Sequence, residues 1–216
     1  MSSYKLRFIR KSSVGSNLIS QKMNRLIIIA FSLSLFSCSI DRTILEVSEN
    51  ENNTLINFQK LQSKNILKIT DENEPGEKLI LCLTLIDKES KRNLPNQLVK
   101  FYHTSTDGKY EQTDPNDEST ARLNGQAFTN SEGQIYVETI LPGDYGSSDD
   151  NRHIHTTVVF ELKPKYYDIF FNQYKGRVAR FMDSGNDHMF FADLKRTKEN
   201  ELVSFLTIEV KRPNQE

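Results

Sequence analysis

Short apolar runs separated by turn residues occupy the chain from about residue 78 onward. Each run is rich in β-branched and aromatic residues, and Gly, Pro and Asp lie between them. The runs are 78–86, 97–103, 134–140, 154–162, 166–171 and 202–211. Apolar and polar residues alternate in 134–140, which is the period of a half-buried strand, and strong helical periodicity is absent. The pattern predicts an all-β domain over residues 77–212, an antiparallel β-sandwich.

The segment before this domain has a different character. Residues 48–76 are mostly polar, with isolated apolar residues that follow no sustained period. Such a stretch does not supply the apolar face that a packed element needs. We therefore expect residues 38–76 to form a polar tether, with room for one short strand or helix.

A basic and then apolar segment lies near the N-terminus. Lys22 and Arg25 precede the apolar run 26–36, which is shorter than the roughly 20 residues of a membrane span. This arrangement is typical of a signal peptide. We expect residues 1–37 to be a signal segment, in which 1–22 form an upstream extension if Met23 is the start.

The apolar run ends in Leu-Phe-Ser-Cys, with the cysteine at position 38. This order resembles the lipidation site of bacterial lipoproteins, which has an aliphatic residue, a position that accepts various residues, a small residue and then the lipidated cysteine. We expect Cys38 to carry lipid and to anchor the protein to a membrane of the bacterial cell envelope, and Ser39 favours the outer membrane. The alternative is an ordinary signal peptide, or a buried strand or helix.

Composition narrows the classes of partner. The 216 residues carry a net charge of −1, with 37% hydrophobic and 26% charged residues. This balance excludes a strongly basic nucleic-acid binder, so we expect no nucleic-acid partner. Cys38 and Cys82 are the two cysteines of the sequence, and a lipidated Cys38 would leave no intrachain disulfide. Cys82 lies in an apolar run, where we expect a buried, unreactive thiol.

Candidate chemistry is concentrated at His153-Ile154-His155. Two histidines at positions i and i+2 of a strand project from one face and can reach the same ion. Tyr110 and Tyr145 lie in turns upstream and could add phenol oxygens. Nitrogen and anionic oxygen donors suit ferric iron better than metals that prefer thiolates. The plainer interpretation is a surface strand that carries two histidines without a ligand.

The segment Asp107-Gly108-Lys109-Tyr110, the run from Gly125 to Tyr145 that ends in Pro-Gly-Asp-Tyr, and the pair His153 and His155 follow one another within the block 76–159. In this order the block resembles the intradiol ring-cleavage dioxygenases, ferric enzymes that open catechols between their two hydroxyls. The first two segments are similar to the family's D-G-x-Y segment and to its run ending P-G-x-Y, and the histidines match its pair of histidine ligands.

The resemblance implies a β-sandwich that holds Fe(III) through Tyr110, Tyr145, His153 and His155. It also implies a catechol-type substrate and O2, with Tyr145 as the tyrosinate that leaves the metal and acts as the base. Members of the family often form homodimers, and no feature of this sequence decides the oligomeric state.

Two positions depart from the family pattern. The family has an Arg three residues before the first histidine, where this chain has Asp150. Arg152 is the nearest substitute and our second catalytic candidate, although strand alternation would turn it away from the histidines. Gln173 is the candidate for a family Gln that follows the histidine pair. The alternative function is a non-catalytic, transthyretin-like β-sandwich lipoprotein that binds a protein or glycan, which the missing Arg favours.

Overall fold

Two β-sheets stacked face to face are the main feature of the structure. The computed structural model describes residues 43–144, 151–174 and 187–213. These residues belong to one compact unit, Asp41–Glu216. The predicted signal segment and the lipidation residue Cys38 lie outside the described residues.

Strands make up most of the regular structure in the described residues. The described part of the chain has one α-helix, α1 (Glu49–Gln59), and short 3₁₀ turns at Ser63–Asn65, Glu118–Thr120 and Asn172–Tyr174. The strands are β1 (Leu45–Glu46), β2 (Ile66–Lys68), β3 (Lys78–Asp87), β4 (Leu98–His103), β5 (Leu123–Phe128), β6 (Gln134–Ile140), β7 (His153–Val159), β8 (Lys165–Phe171), β9 (Met189–Ala192), β10 (Lys195–Arg196) and β11 (Leu202–Val210).

The strands form a six-stranded and a five-stranded sheet. Sheet 1 has the order β1-β10-β11-β3-β6-β2, and sheet 2 has the order β5-β4-β7-β8-β9. The predicted β-sandwich is confirmed. Four neighbouring pairs are parallel where the sequence suggested antiparallel pairing: β1 with β10, β11 with β3, β2 with β6 and β8 with β9. Long stretches of chain separate the strands of these pairs. The sequence therefore contains no short turn between them that would indicate whether they pair in parallel or antiparallel.

The core lies between the sheets and follows the two-residue period of the strands. On β7, Ile154, Thr156 and Val158 are buried, and the alternate residues of the strand are only partly buried. Ile169 and Phe171 of β8 enter the same cluster, together with Leu79 of sheet 1 and its neighbours. The faces of β7 and β8 that point away from sheet 1 are therefore the outer face of sheet 2.

The predicted tether is wrong for the part of it that the structure describes. Ser48 caps the N-terminus of helix α1: its side chain accepts from the Glu51 backbone, and the Glu51 side chain accepts from the Ser48 backbone. This capping box satisfies two backbone donors at the start of the helix. Leu55 and Phe58 are buried against the outer face of sheet 1, in a second apolar cluster with Cys82.

Polar contacts also hold this N-terminal segment to the domain. Lys195 of β10 donates to the Glu51 carboxylate, and this bond lowers the pKa of Glu51 to about 2. Strand β2 pairs in parallel with β6, with Ile66 opposite Tyr136. The sequence signal was weak because only two helix positions, three residues apart, are buried. Two buried positions form an apolar stripe too narrow to produce a recognisable helical period in the sequence.

Cys82 lies in the apolar cluster beneath helix α1. Its thiol is buried, and burial raises its pKa to about 12. The expectation of a thiol that behaves as a small apolar group is confirmed.

Within residues 43–144, 151–174 and 187–213, no helix combines the length and the apolar character that crossing a bilayer requires.

Helix α1 is expected to be part of the cooperative folding unit. Phe58→Ala should lower the free energy of unfolding by about 3 kcal/mol, because it removes a buried ring and leaves a cavity. Ile56→Ala, on the exposed side of the same helix, is the matched control and should change it by less than about 1 kcal/mol. Urea denaturation of both variants measures the difference, and equal small effects would restore the tether interpretation.

Candidate metal centre

Strand β7 places two imidazoles on the outer face of sheet 2. His153 and His155 are partly buried, whereas Ile154 between them is 1% exposed and faces the core. The prediction that the histidines share one face and Ile154 takes the other is confirmed. The Nε2 atoms of His153 and His155 lie 3.1 Å apart. Both rings therefore direct a nitrogen at the same point.

Tyr110 reaches this point from the loop between β4 and β5. Its hydroxyl lies 2.7 Å from the Nε2 of His155, and the residue is 6% exposed. The Tyr110 carbonyl accepts the backbone N–H of Arg122, which ties the start and the end of the loop together. The Arg122 guanidinium in turn binds Glu74 and Glu111. The loop is thus fixed on both sides of the phenol.

The turn before Tyr110 packs against the segment that leads to Tyr145. Gly108 has φ +75°, and a Cβ at that position would lie 2.1 Å from the carbonyl oxygen of Asp144. A glycine is required there by both the conformation and the close approach. Gly143 donates its N–H to Ser105 in the same turn. Tyr145 is the next residue after Asp144 in the sequence and lies outside the described residues.

The rear nitrogens of both imidazoles have acceptors. His155 Nδ1 lies 2.7 Å from Oδ1 of Asp168, and His153 Nδ1 lies 2.8 Å from the carbonyl oxygen of Asn151. An acceptor at Nδ1 favours the tautomer that carries its proton there, which leaves the Nε2 lone pair free. Asp168 faces His155 because the two are paired in the β7–β8 register.

The donor geometry fits a single metal ion. Bonds of about 2.0–2.1 Å from a metal to nitrogen put two ligands at right angles about 3 Å apart. The separations of 3.1 Å between the two imidazole nitrogens and 2.7 Å between His155 and Tyr110 agree with this spacing. The donor atoms of His153, His155 and Asp168 lie within 4.8 Å of one another. Asp168 bonds the rear of His155, so it fits a supporting carboxylate better than a ligand.

Aromatic rings hold the imidazoles in place. Tyr102 stacks on His155 with ring centroids 4.4 Å apart, and Phe170 stacks on His153 at 5.0 Å. Burial, followed by the proximity of His155, lowers the pKa of His153. Burial, followed by Glu118, raises the pKa of Tyr102 to about 12. A neutral His153 suits ligation, whereas Tyr102 remains a protonated phenol.

Arg152, the second catalytic candidate, lies next to His153 on the strand. One guanidinium nitrogen donates to the carbonyl of Pro142 at 3.3 Å, and its guanidinium carbon lies 4.6 Å from the Tyr174 ring centroid. These contacts tie β7 to the Pro142 turn. The assignment of Arg152 to catalysis stays a prediction. Asp150, at the position of the family Arg, lies outside the described residues.

Gln173 and His103 have structural partners. The side chain of Gln173 is buried and bonds both the N–H and the carbonyl of Leu194. His103 is fully buried between the carbonyl of Thr104 and the hydroxyl of Thr139, and burial lowers its pKa to about 4. It is a neutral core histidine.

Sequence reasoning missed three residues around the imidazoles: Tyr102, Asp168 and Phe170. All three come from strands that neighbour β7, and each lies opposite one of the histidines in the register. These three residues could have been predicted from the pairing of alternate positions on neighbouring strands. That pairing depends on strand order, which spacing along the chain does not reveal.

Comparison with known proteins identifies the family. The model of a dioxygenase family, described as Dioxygenase, matches residues 54–215. The matched region begins inside helix α1 and includes every described residue of the metal centre. The chain belongs to this family, the intradiol ring-cleavage dioxygenases.

Individual relatives are more distant. Over 87 residues, 39% of the chain, it is 37% identical to catechol 1,2-dioxygenase of Acinetobacter baylyi, and the match spans 28% of that protein. The dioxygenase domain of a dioxygenase carbohydrate-binding protein fusion from Streptomyces sp. SirexAA-E superposes with a TM-score of 0.53 and 17% identity, over 70% of this chain and 92% of that one. Catechol 1,2-dioxygenase from Acinetobacter sp. ADP1 gives 0.51 and 20%, over 68% and 57%. These structures share the fold.

Asp168 is expected to support the metal affinity through His155. Asp168→Asn should weaken metal binding about 10-fold to 100-fold, because the rear nitrogen of His155 loses an anionic acceptor. Competition with a chelator measures the affinity. Asp193→Asn, which makes the same charge change at an exposed position away from the imidazoles, is the control. Equal affinities of the two variants would show that Asp168 has no such role.

Proposed function

We propose that this protein is a non-haem Fe(III) intradiol dioxygenase that cleaves a catechol-type ring with O2. The observation that carries the proposal is the convergence of Tyr110, His153 and His155 on one point of the outer face of sheet 2. One oxygen and two nitrogens, without a thiolate, form a donor set that suits ferric iron. Membership of the dioxygenase family supports the same chemistry.

Each donor has a defined task in this proposal. His153 and His155 would hold the metal as neutral nitrogen ligands, with Asp168 fixing the second ring. Tyr110 would supply a phenolate, since a bound cation displaces the phenol proton. Ferric iron, when bound, would supply the Lewis acidity that activates a chelated catechol.

Tyr145 is proposed as the second phenolate and as the base. Its oxygen would accept the proton of a catechol hydroxyl as the substrate binds. The residues that flank the segment containing Tyr145 contact each other. The Asp144 carboxylate accepts the backbone N–H of Asn151 at 2.8 Å, so the two ends of the segment that contains Tyr145 meet.

The substrate would approach from the outer face of sheet 2. The side chains of His155 and Asp168 are 21% and 32% exposed, so this side of the cluster is open to solvent. Phe170 and Tyr110 close the other side. The ring of a catechol would therefore enter over β4 and β7, beside Tyr102.

A second candidate function is a non-catalytic binding protein of the same fold. It is favoured by Asp150, which stands where the family has an Arg that stabilises charge on the substrate. Iron binding without oxygen consumption would support this alternative.

The proposal predicts a coloured, oxygen-consuming protein. Residues 39–216 loaded with iron should show a broad visible band from tyrosinate-to-iron charge transfer and should take up O2 with catechols. His153→Ala or His155→Ala should abolish iron binding, Tyr110→Phe should shift the band, and Tyr145→Phe should retain some iron but impair turnover. His188→Ala is the control, because His188 is exposed and contacts the carbonyl of Tyr166. A folded protein that binds no iron would refute the proposal.

We also propose that lipid on Cys38 anchors the protein to the outer membrane, a proposal that rests on the sequence before position 39. Cys38→Ser should prevent lipid attachment and cleavage after residue 37, and it should release the protein from the membrane fraction. Cys82→Ser, at the other cysteine, should leave attachment intact. Fractionation and mass spectrometry of the mature N-terminus measure both. Membrane retention of a processed Cys38→Ser protein would contradict the anchor.

A further inference from the structure

We propose that the site takes catechols that carry an extended arm ending in a carboxylate, and that Lys100 and Tyr166 bind the arm. This inference rests on the proposed function and names its substrate class. It comes from the part of the outer face of sheet 2 that continues from the imidazoles toward the start of β4. We call this part, formed by Leu98, Lys100, Gln126, Phe128, Thr157, Val159 and Tyr166, the outer strip.

The register of the strands defines the outer strip. Tyr102, His155 and Asp168 form one row of paired residues across β4, β7 and β8. The next row, displaced by two residues along each strand, consists of Lys100, Thr157 and Tyr166. Alternation points both rows to the same face, so the second row adjoins the imidazole row without a break.

The outer strip is exposed and largely uncharged. Tyr166 is 64% exposed and Phe128 is 42% exposed, which is high for aromatic residues. Lys100 is exposed and makes no ion pair with any residue in the described part of the chain. Its neighbours in the register are Gln126 and Thr157, and Tyr166 pairs with Thr157 on the next strand. A cation and an exposed aromatic ring on either side of a small residue complement an arm that has a flat or apolar part and a negative charge.

Lys100 carries the charge of the outer strip. It lies on the same strand as Tyr102, two residues toward the start of β4, and the other residues of the strip are uncharged. An anionic arm would therefore be attracted along β4 toward Lys100.

The distances suit an arm of two or three carbons. Residues two apart on a strand are separated by about 6.6 Å and neighbouring strands by about 4.8 Å, which puts the Cα atoms of Lys100 and His155 about 8 Å apart. A catechol bound at the imidazoles would thus bring a propanoate group within reach of the Lys100 ammonium.

The test compares an acid with its neutral analogue in the iron-loaded protein. The substrates are 3-(3,4-dihydroxyphenyl)propanoate, the corresponding primary amide, and catechol. The acid should have a kcat/KM about threefold to fivefold above that of the amide, the size expected of an exposed ion pair. The preference should shrink in high salt, because exposed charges are screened. Dissociation constants from anaerobic calorimetry should show the same ratio without turnover.

Variants assign the preference to the outer strip. Lys100→Gln should bring the ratio of acid to amide close to one, both in turnover and in anaerobic binding. Lys198→Gln removes an exposed lysine from the turn between β10 and β11 of sheet 1 and should retain the ratio. Tyr166→Ala should weaken binding of both the acid and the amide relative to catechol. Melting temperatures of the three variants verify that each is folded.

The outcomes separate this inference from the proposed function. Turnover of catechol with an acid-to-amide ratio near one in the unmodified protein, or a ratio that survives Lys100→Gln, would overturn the arm site alone. Absence of the iron band and of oxygen uptake with every catechol would overturn both. A preference lost in Lys100→Gln and kept in Lys198→Gln would establish the arm site.

Discussion

Burial of Ile154 and Val158 against sheet 1 fixes the face of β7 on which the histidines lie. A register shift of one residue would bring both imidazoles into an apolar core and expose the aliphatic residues, at a cost of several kcal/mol. His153 and His155 do not stabilise their own arrangement, because each presents the same lone-pair nitrogen to the other. The hydrophobic core therefore supplies the free energy that holds the two imidazoles together in the absence of attraction between them.

The loop between β4 and β5 adds the phenol oxygen of Tyr110 to this fixed pair. Two turns meet at Gly108 and Gly143, where backbone groups bond directly and no side chain fits. Thr104 reinforces the contact by donating its hydroxyl to the Gly143 carbonyl. Beneath it His103 bonds the carbonyl of Thr104 and the hydroxyl of Thr139. The position of the Tyr110 phenol is thus determined by packing between backbones, which is less adaptable than contact between side chains.

The predictable features are those that depend on neighbouring residues in the chain. The face of His153 and His155 follows from a local two-residue period. The sandwich follows from the density of short strands. The contact of Asp168 with His155 follows from pairing across 13 positions, and the parallel pairing of β3 with β11 joins residues more than 100 positions apart. Nothing in local sequence encodes strand order, so the supporting carboxylate and the stacked Tyr102 became visible only in the fold.

The two outer faces of the sandwich differ in their side chains and in whether a helix covers them. On sheet 1 the outer face is apolar, with Ile80 and Val203 among its residues, and helix α1 covers it. On sheet 2 the outer face carries the imidazoles and the exposed Tyr166 and Phe128. Because the N-terminal segment completes the apolar burial of sheet 1, polar and ligand-directed side chains on sheet 2 do not have to contribute to the core. The short N-terminal helix is therefore part of what allows the opposite face to keep polar and exposed aromatic side chains.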